Sequence, residues 1–319
     1  MKTRFACLKL SGWLLSTTLV ATLLSSCNKD DDKDMTDKTI SGVVTTNTNF
    51  SMLATAVQKA GLTATLNGNG PFTVFAPNND AFIASGVTNA TISGLPASTL
   101  ENILLYHTLA MNVMASAVPP GPNAVVEAMN GDKLYVTRNS SGVYINGVKV
   151  VQADIAAKNG TIHTIERVLM PPMGNLVETA VMDTSFTYLV AAVLRASEGS
   201  TNVAQVLSGS EPFTVFAPTN QAFRNAGFAT IASIQSANSN TLAGILTYHV
   251  LSGRVFSSDL TNGAMPATLN GATVTIGVST GATVKGMGNS SASNVIKANI
   301  VADNGVVHVI DQVLMPSMN

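Results

Sequence analysis

The stretch Pro71-Phe72-Thr73-Val74-Phe75-Ala76-Pro77 recurs without change at residues 212–218, PFTVFAP both times. Each copy is followed by a polar tripeptide and then an Ala-Phe pair, Ala81-Phe82 and Ala222-Phe223. Further along, Ile103-Leu104-Leu105-Tyr106-His107 is matched by Ile245-Leu246-Thr247-Tyr248-His249, and NGTIHTIERVLMP at 159–171 by NGVVHVIDQVLMP at 304–316. The offsets are 141, 142 and 145 residues, so order and spacing are kept with only short insertions. Self-similarity at one long period marks a duplication. Two units of this size read as whole domains, not turns of a solenoid. The copies are placed at 39–172 and 173–319.

PFTVFAP is rich in β-formers and closed by proline, which predicts a short buried strand. Ahead of it, Phe50, Leu53, Val57 and Ala60 fall at helical spacing, with Asn49 as the expected cap and Gly61 as the stop. In the second copy Phe186, Leu189 or Val190, and Val193 or Leu194 do the same. After the strand, Ser98 and Glu101 read as a capping box before an apolar stripe of Leu100, Ile103, Leu104 and His107, repeated as Leu242, Ile245, Leu246 and His249. The back half of the first copy alternates in β fashion: Leu134 and Val136, Val143 and Ile145, Val148 and Val150. Asn146-Gly147 between two such runs predicts a tight hairpin. Asn130-Gly131, Asn159-Gly160, Asn270-Gly271 and Asn304-Gly305 punctuate the chain similarly. Helices first and strands second make an α+β fold, each copy a mostly antiparallel β-sandwich or wedge with helices packed on it.

The N-terminus reads as a targeting device. Lys2, Arg4 and Lys9 precede a mostly apolar run, Leu10 to Leu24, shorter than the ~20 residues a spanning helix needs. Leu24-Ser25-Ser26-Cys27 resembles the lipobox of bacterial lipoproteins, which implies cleavage after residue 26 and acylation of Cys27. The alternative is an ordinary cleavage site beside a stray cysteine. The only other cysteine, Cys7, lies inside the signal, so the domains have no disulfide and Cys27 has no disulfide partner among them. Residues 27–38 are then the lipidated cysteine and an acidic linker: five acids and three bases in 28–38, too polar to order by burial. Acids directly after a lipid cysteine also resemble the surface-export signal of some Gram-negative lipoproteins. The expected location is therefore the cell envelope, lipid-anchored in the outer membrane, with surface exposure what the acidic stretch would imply; the face of the membrane is not set by the sequence. Residues 39–319 carry 11 basic and 13 acidic side chains with no basic stripe, which argues against nucleic acid as a partner.

The TVFAP strand followed by Ala-Phe, the mid-domain Tyr-His pair and the terminal Asn-Gly-x-x-His-x-Ile box together resemble the fasciclin domain. The likeness covers both copies, about 280 of the 319 residues. It implies a compact sandwich of strands carrying helices, a role in adhesion or extracellular binding, and no cofactor. In adhesive members an Asp-Ile motif ahead of the terminal box is implicated in receptor binding. Asp154-Ile155 matches it, whereas the second copy has Asn299-Ile300, which puts a matched role there in doubt. The pairs Tyr106-His107 and Tyr248-His249 match a second binding motif of the family. Core packing is the competing reading for all of these positions.

Catalytic and metal chemistry find little support. All four histidines, His107, His163, His249 and His308, belong to the repeat and sit in apolar surroundings, where hydrogen bonding to the backbone is expected. A zinc site needs three or four ligands, and each copy offers two histidines, no cysteine and one acid nearby, Glu166 or Asp311. No Gly-x-Ser-x-Gly elbow is present, and no pair of acids recurs in both copies. Gly286-Met287-Gly288-Asn289-Ser290 lacks the lysine of a phosphate loop and reads as a flexible loop. The expectation is a non-catalytic envelope lipoprotein that binds an extracellular protein or polysaccharide through tandem domains, without metal or cofactor. The competing readings are a glycan-binding accessory lipoprotein, weakened because the one tryptophan, Trp13, lies in the signal, and a cryptic hydrolase. Oligomeric state is not set by the sequence.

Overall fold

The computed structural model describes residues 37–317; the signal, Cys27 and most of the linker lie outside them. In the first copy the helices are α1 (Ile40–Thr46), α2 (Ser51–Lys59) and α3 (Thr63–Leu66), then strand β1 (Phe72–Pro77), then α4 (Asn79–Ala84), α5 (Asn89–Gly94) and α6 (Ala97–Tyr106). Six strands follow: β2 (Thr108–Leu109), β3 (Gly121–Glu127), β4 (Lys133–Asn139), β5 (Gly142–Ile145), β6 (Val148–Ala157) and β7 (Gly160–Ile165). The second copy repeats the plan with α7 (Leu176–Met182), α8 (Thr187–Ser197), α9 (Val203–Leu207), β8 (Phe213–Pro218), α10 (Asn220–Asn225), α11 (Ile231–Gln235) and α12 (Ser239–Tyr248). It closes with β9 (Val250–Ser252), β10 (Val274–Gly277), β11 (Thr283–Gly286), β12 (Ser293–Ala302) and β13 (Gly305–Ile310).

Each copy builds one sheet, ordered β2-β1-β7-β6-β5-β4-β3 in the first and β10-β11-β12-β13-β8-β9 in the second. The pairings are antiparallel except for β1 with β7 and β8 with β13. The sheet is therefore mixed, and the PFTVFAP strand is its parallel member. In β1, Val74 and Ala76 point into a helix-side core with Phe50, Leu53, Leu104 and Ile162, while Phe75 points into a second core with Leu134, Val136 and Ile145. Burial on both faces explains why this strand is an apolar run rather than an alternating one.

Local signals held in most places. Asn146 (φ 51°) and Gly147 (φ 74°) make the predicted hairpin between β5 and β6, both left-handed as a two-residue turn requires. Three expectations are corrected. Asn47, not Asn49, caps the entry to α2, its side chain accepting the Asn49 N–H. Ser98 and Glu101 form no capping box, because the helix already begins at Ala97 with Pro96 at its cap. The Gly286–Ser290 segment is pinned, with the Met287 N–H donating to the Tyr248 hydroxyl at 2.9 Å and Asn289 bonded to Val313 and Met315. A Cβ on Gly288 would lie 2.5 Å from the Pro316 carbonyl, so close backbone contact accounts for the glycine.

The Asn-Gly pairs at 159–160 and 304–305 are more than turns. Buried Asn159 accepts the Ile40 N–H at 2.9 Å and donates to the carbonyls of Leu66 and Gly68, tying the first helix to the strand edge. Asn304 repeats this with Leu176, Leu207 and Gly209.

Candidate functional site

The Tyr-His pairs end α6 and α12, where the helix axis meets the two cores. His107 Nδ1 donates to the Ile103 carbonyl at 2.7 Å, and Nε2 accepts the Leu169 N–H at 2.9 Å. His249 does the same with Ile245 and Leu314, both at 2.8 Å. One ring nitrogen faces a carbonyl and the other an N–H, so only the neutral Nδ1–H tautomer satisfies both. Burial without a counter-charge lowers both pKa values to about 4, partly offset by the carbonyl bond. Tyr106 donates to the Lys133 carbonyl and accepts from Asn146, and burial pushes its phenol up. Tyr248 donates to the Thr273 carbonyl at 2.6 Å. All four residues are at most 2% exposed. They hold the helix end to the chain's return and offer no contact surface.

The Asp-Ile position is different. Between Gln152–Thr164 and Ile155–Ile162, two residues of β6 oppose the single residue His163, a bulge that puts Asp154 at φ 60°. The bulge turns the Asp154 N–H out of the ladder, and His163 Nδ1 accepts it at 3.1 Å. Nε2 then carries the proton and donates to the Val113 carbonyl at 2.7 Å, while the ring stacks on Phe75. Asp154 Oδ1 in turn accepts the Ala115 N–H at 2.9 Å. The second copy reproduces this with Asn299 (φ 63°), His308, Val255 and Ser257. Burial holds His308 below its usual pKa range. The bulge thus fixes the turn at 113–115 and its counterpart at 255–257. Ile155 and Ile300 are half-buried against the helix-side cores.

The two bulges face different surroundings. The turn at 254–259 in the second copy is docked on β3 and β4 of the first. Phe256 is fully buried against Tyr135, ring centroids 5.8 Å apart, with Val301 and Val306 beside it. The Arg254 guanidinium lies 4.2 Å above the Tyr135 ring, its N–H groups spent on the carbonyls of Ala302, Asp303 and Gly305. Asn123 donates to the Arg254 carbonyl at 2.7 Å and Thr137 to Asp259 at 3.1 Å. Asn299 abuts Gly147, so close that a Cβ there would lie 2.5 Å from its Nδ2. A carboxylate at 299 would lose water against that backbone, whereas the amide donates to Ser257 Oγ at 2.7 Å. The change from Asp to Asn between the copies has this physical reason.

The corresponding turn of the first copy is open. Met114 stands where Phe256 stands and is 40% exposed. Asp154 is exposed. Beneath this turn lies an apolar cleft of about 250 Å³, lined by Phe75, Val113, Val118, Ala124, Val136 and Val143 among others. The histidines offer no free ring nitrogen to a metal, and among the described residues no group of three or more His, Cys, Asp or Glu is placed to hold one. The structure therefore brings Asp154 and Ile155 to an accessible surface, places Asn299 and Ile300 at an internal contact, and puts both Tyr-His pairs in the core. Residues missed by sequence reasoning are Tyr135, Arg254 and Phe256. For Arg254 and Phe256 the signal lay in the self-comparison, where Asn112-Val113-Met114 becomes Arg254-Val255-Phe256.

A family comparison agrees with the duplication. The fasciclin domain model matches residues 48–171 and 185–316. The chain is 42% identical over 136 residues to pig transforming growth factor-beta-induced protein ig-h3, covering 42% of this chain and 19% of that protein. It is 29% identical over 256 residues to human periostin, covering 79% of this chain and 29% of periostin. A Synechocystis protein, sll1735, is 40% identical over 143 residues, 45% of this chain and 98% of its own length. The chain thus spans less than a third of these two animal relatives. A solved FAS1 domain pair from the insect cell adhesion molecule Fasciclin I aligns with a TM-score of 0.41 at 19% identity, over 85% of this chain and 98% of that one. By the family match over both halves, this chain belongs to the fasciclin-domain family and carries two such domains in tandem.

Proposed function

We propose that this protein is a non-catalytic, lipid-anchored envelope protein that binds a protein partner through the open turn of its first domain. The observation that carries the reading is the contrast between equivalent surfaces: the 254–259 turn is consumed by the contact between domains, whereas Met114, Asp154 and the cleft below them are free. The cleft suits an apolar side chain of a partner, with the Asp154 carboxylate at its edge for a cationic or N–H donor. A protein partner is favoured over a glycan because no aromatic ring among the described residues is exposed for sugar stacking. Fasciclin domains are generally binding and adhesion modules, which supports a role without catalysis.

Asp154→Asn is expected to weaken a partner captured from envelope extracts by about tenfold, on the order of the loss of one charge-assisted hydrogen bond. Asn299→Asp, in contrast, lowers stability and leaves the first domain's affinity intact. Titration of the captured partner against the two variants reads this out; equal affinity of Asp154→Asn and wild type removes the Asp-Ile surface from recognition. The anchor is tested separately. Cys27→Ala is expected to abolish incorporation of a fatty-acid analogue and to move the protein to the soluble fraction. Equal labelling of both forms would refute acylation at Cys27.

A further inference from the structure

The duplication provides an internal comparison for every surface, and one helix face departs from it. The N–H groups of Ile40 and Leu176 bond to Asn159 and Asn304, and those of Met52 and Tyr188 to Asn79 and Asn220, so α1–α2 and α7–α8 superpose residue for residue. On the outer face the first domain has Thr45, Thr46, Ala54, Thr55 and Gln58; the second has Val181, Met182, Val190, Ala191 and Leu194 at the same positions. The fold does not require apolar groups there, since the first domain does without them. Yet Val181, Met182 and Leu194 are 61%, 59% and 61% exposed. Val181 and Leu194 border an open groove of about 580 Å³ between α7, α8 and α11, floored by Ala180, Thr187 and Ala191. A contiguous exposed apolar face of this kind marks an interaction site.

We propose that this groove is a self-association surface, in which a second copy of the chain packs its own α8 antiparallel into it about a two-fold axis. Three observations select this occupant. The small residues Thr187 and Ala191 leave room for Leu194 of the second copy, as helix packing of ridge into groove needs. Charged groups mark both ends: Asp183, whose Oδ1 accepts from Ser185, stands at one end of the groove and the Arg195–Glu198 pair at the other. Antiparallel pairing sets Arg195 of each copy beside Asp183 of the other, and a two-fold interface is self-complementary in this way. The groove also carries two acids and one base, the wrong balance for an anionic lipid surface. In addition, α7 and the segment Thr184–Ser197 meet at a bend of 102° and do not form one spanning rod. Dimerisation would present two first-domain binding turns at once and raise avidity.

The test uses the full chain. Wild type is expected to sediment as a dimer with a Kd of about 10 µM or below, the range of a modest helix-pair interface. Val181→Thr with Leu194→Gln installs the first domain's own residues at exposed positions, preserves the fold, and is expected to weaken the dimer at least about tenfold. In cells, Ala191→Cys is expected to give a disulfide-linked dimer, while Gln58→Cys on the equivalent helix of the first domain gives no more than wild type. A wild type that stays monomeric at about 100 µM, a dimer untouched by the double substitution, or equal cross-linking from positions 58 and 191 overturns the proposal. So does a monomeric wild type that binds zwitterionic vesicles and is released by the double substitution, which would assign the face to lipid.

Discussion

Between about pH 6.5 and pH 4 this protein is expected to lose much of its stability, and the second domain is expected to fail first. In the folded chain His107 and His249 have pKa values of about 4, against 6.5 when exposed to water. The unfolded chain therefore takes up protons below about pH 6.5 that the folded chain refuses until about pH 4. Stability rises with pH wherever the unfolded state binds more protons, so the contribution is complete above pH 6.5 and declines as the pH falls through that window. At ~1.4 kcal/mol per pKa unit, each histidine accounts for about 3 kcal/mol. That is a large part of the 5–15 kcal/mol typical of a whole domain. The second domain has in addition His308, shifted the same way by burial. Urea unfolding at a series of pH values checks this. His107→Gln is expected to cost about 1–3 kcal/mol at pH 7 and to flatten the acid limb of the first domain. A wild-type midpoint that does not move down to about pH 4.5 would show that these rings are not held neutral.

The second large effect is expected from Phe256→Ala. The ring is fully buried between the domains, and removing it leaves a cavity in a contact that has little else to fill it. Phe→Ala at such a site costs about 3–5 kcal/mol. Part of that loss is coupling: with Tyr135 uncovered, the domains should unfold in separate transitions by calorimetry where wild type shows closer coincidence. Arg254→Ala is expected to act in the same direction by a smaller amount, about 1–2 kcal/mol, from the contact with the Tyr135 face. Met114→Ala, the equivalent change on the open turn of the first domain, should cost under about 1 kcal/mol because Met114 is 40% exposed. If both turns respond alike, the domain contact carries no stability. The contrast between the turns, on which the proposed binding surface depends, would then be lost.

The duplication was visible in residues alone, because PFTVFAP, the Tyr-His pair and the terminal box recur at near-constant offsets. So was the division into helices and then strands, since both rest on short-range periodicity. Asn146-Gly147 specified its hairpin because a two-residue turn is a local backbone choice. The expectation that the histidines bond to the backbone also followed from local context, their apolar neighbours. What the sequence did not determine was non-local. The parallel pairing of β1 with β7 joins strands with most of a domain between them, and an apolar run does not name its partner. Asp154 and Asn299 read as a motif and its departure; only the tertiary structure shows that the departure accompanies burial against Gly147. Burial at a domain contact depends on how two folded bodies meet, which no periodicity within either one encodes. The same holds for α7–α8: the sequence states that Val181, Met182 and Leu194 are apolar, and only the packed structure shows that they point outward.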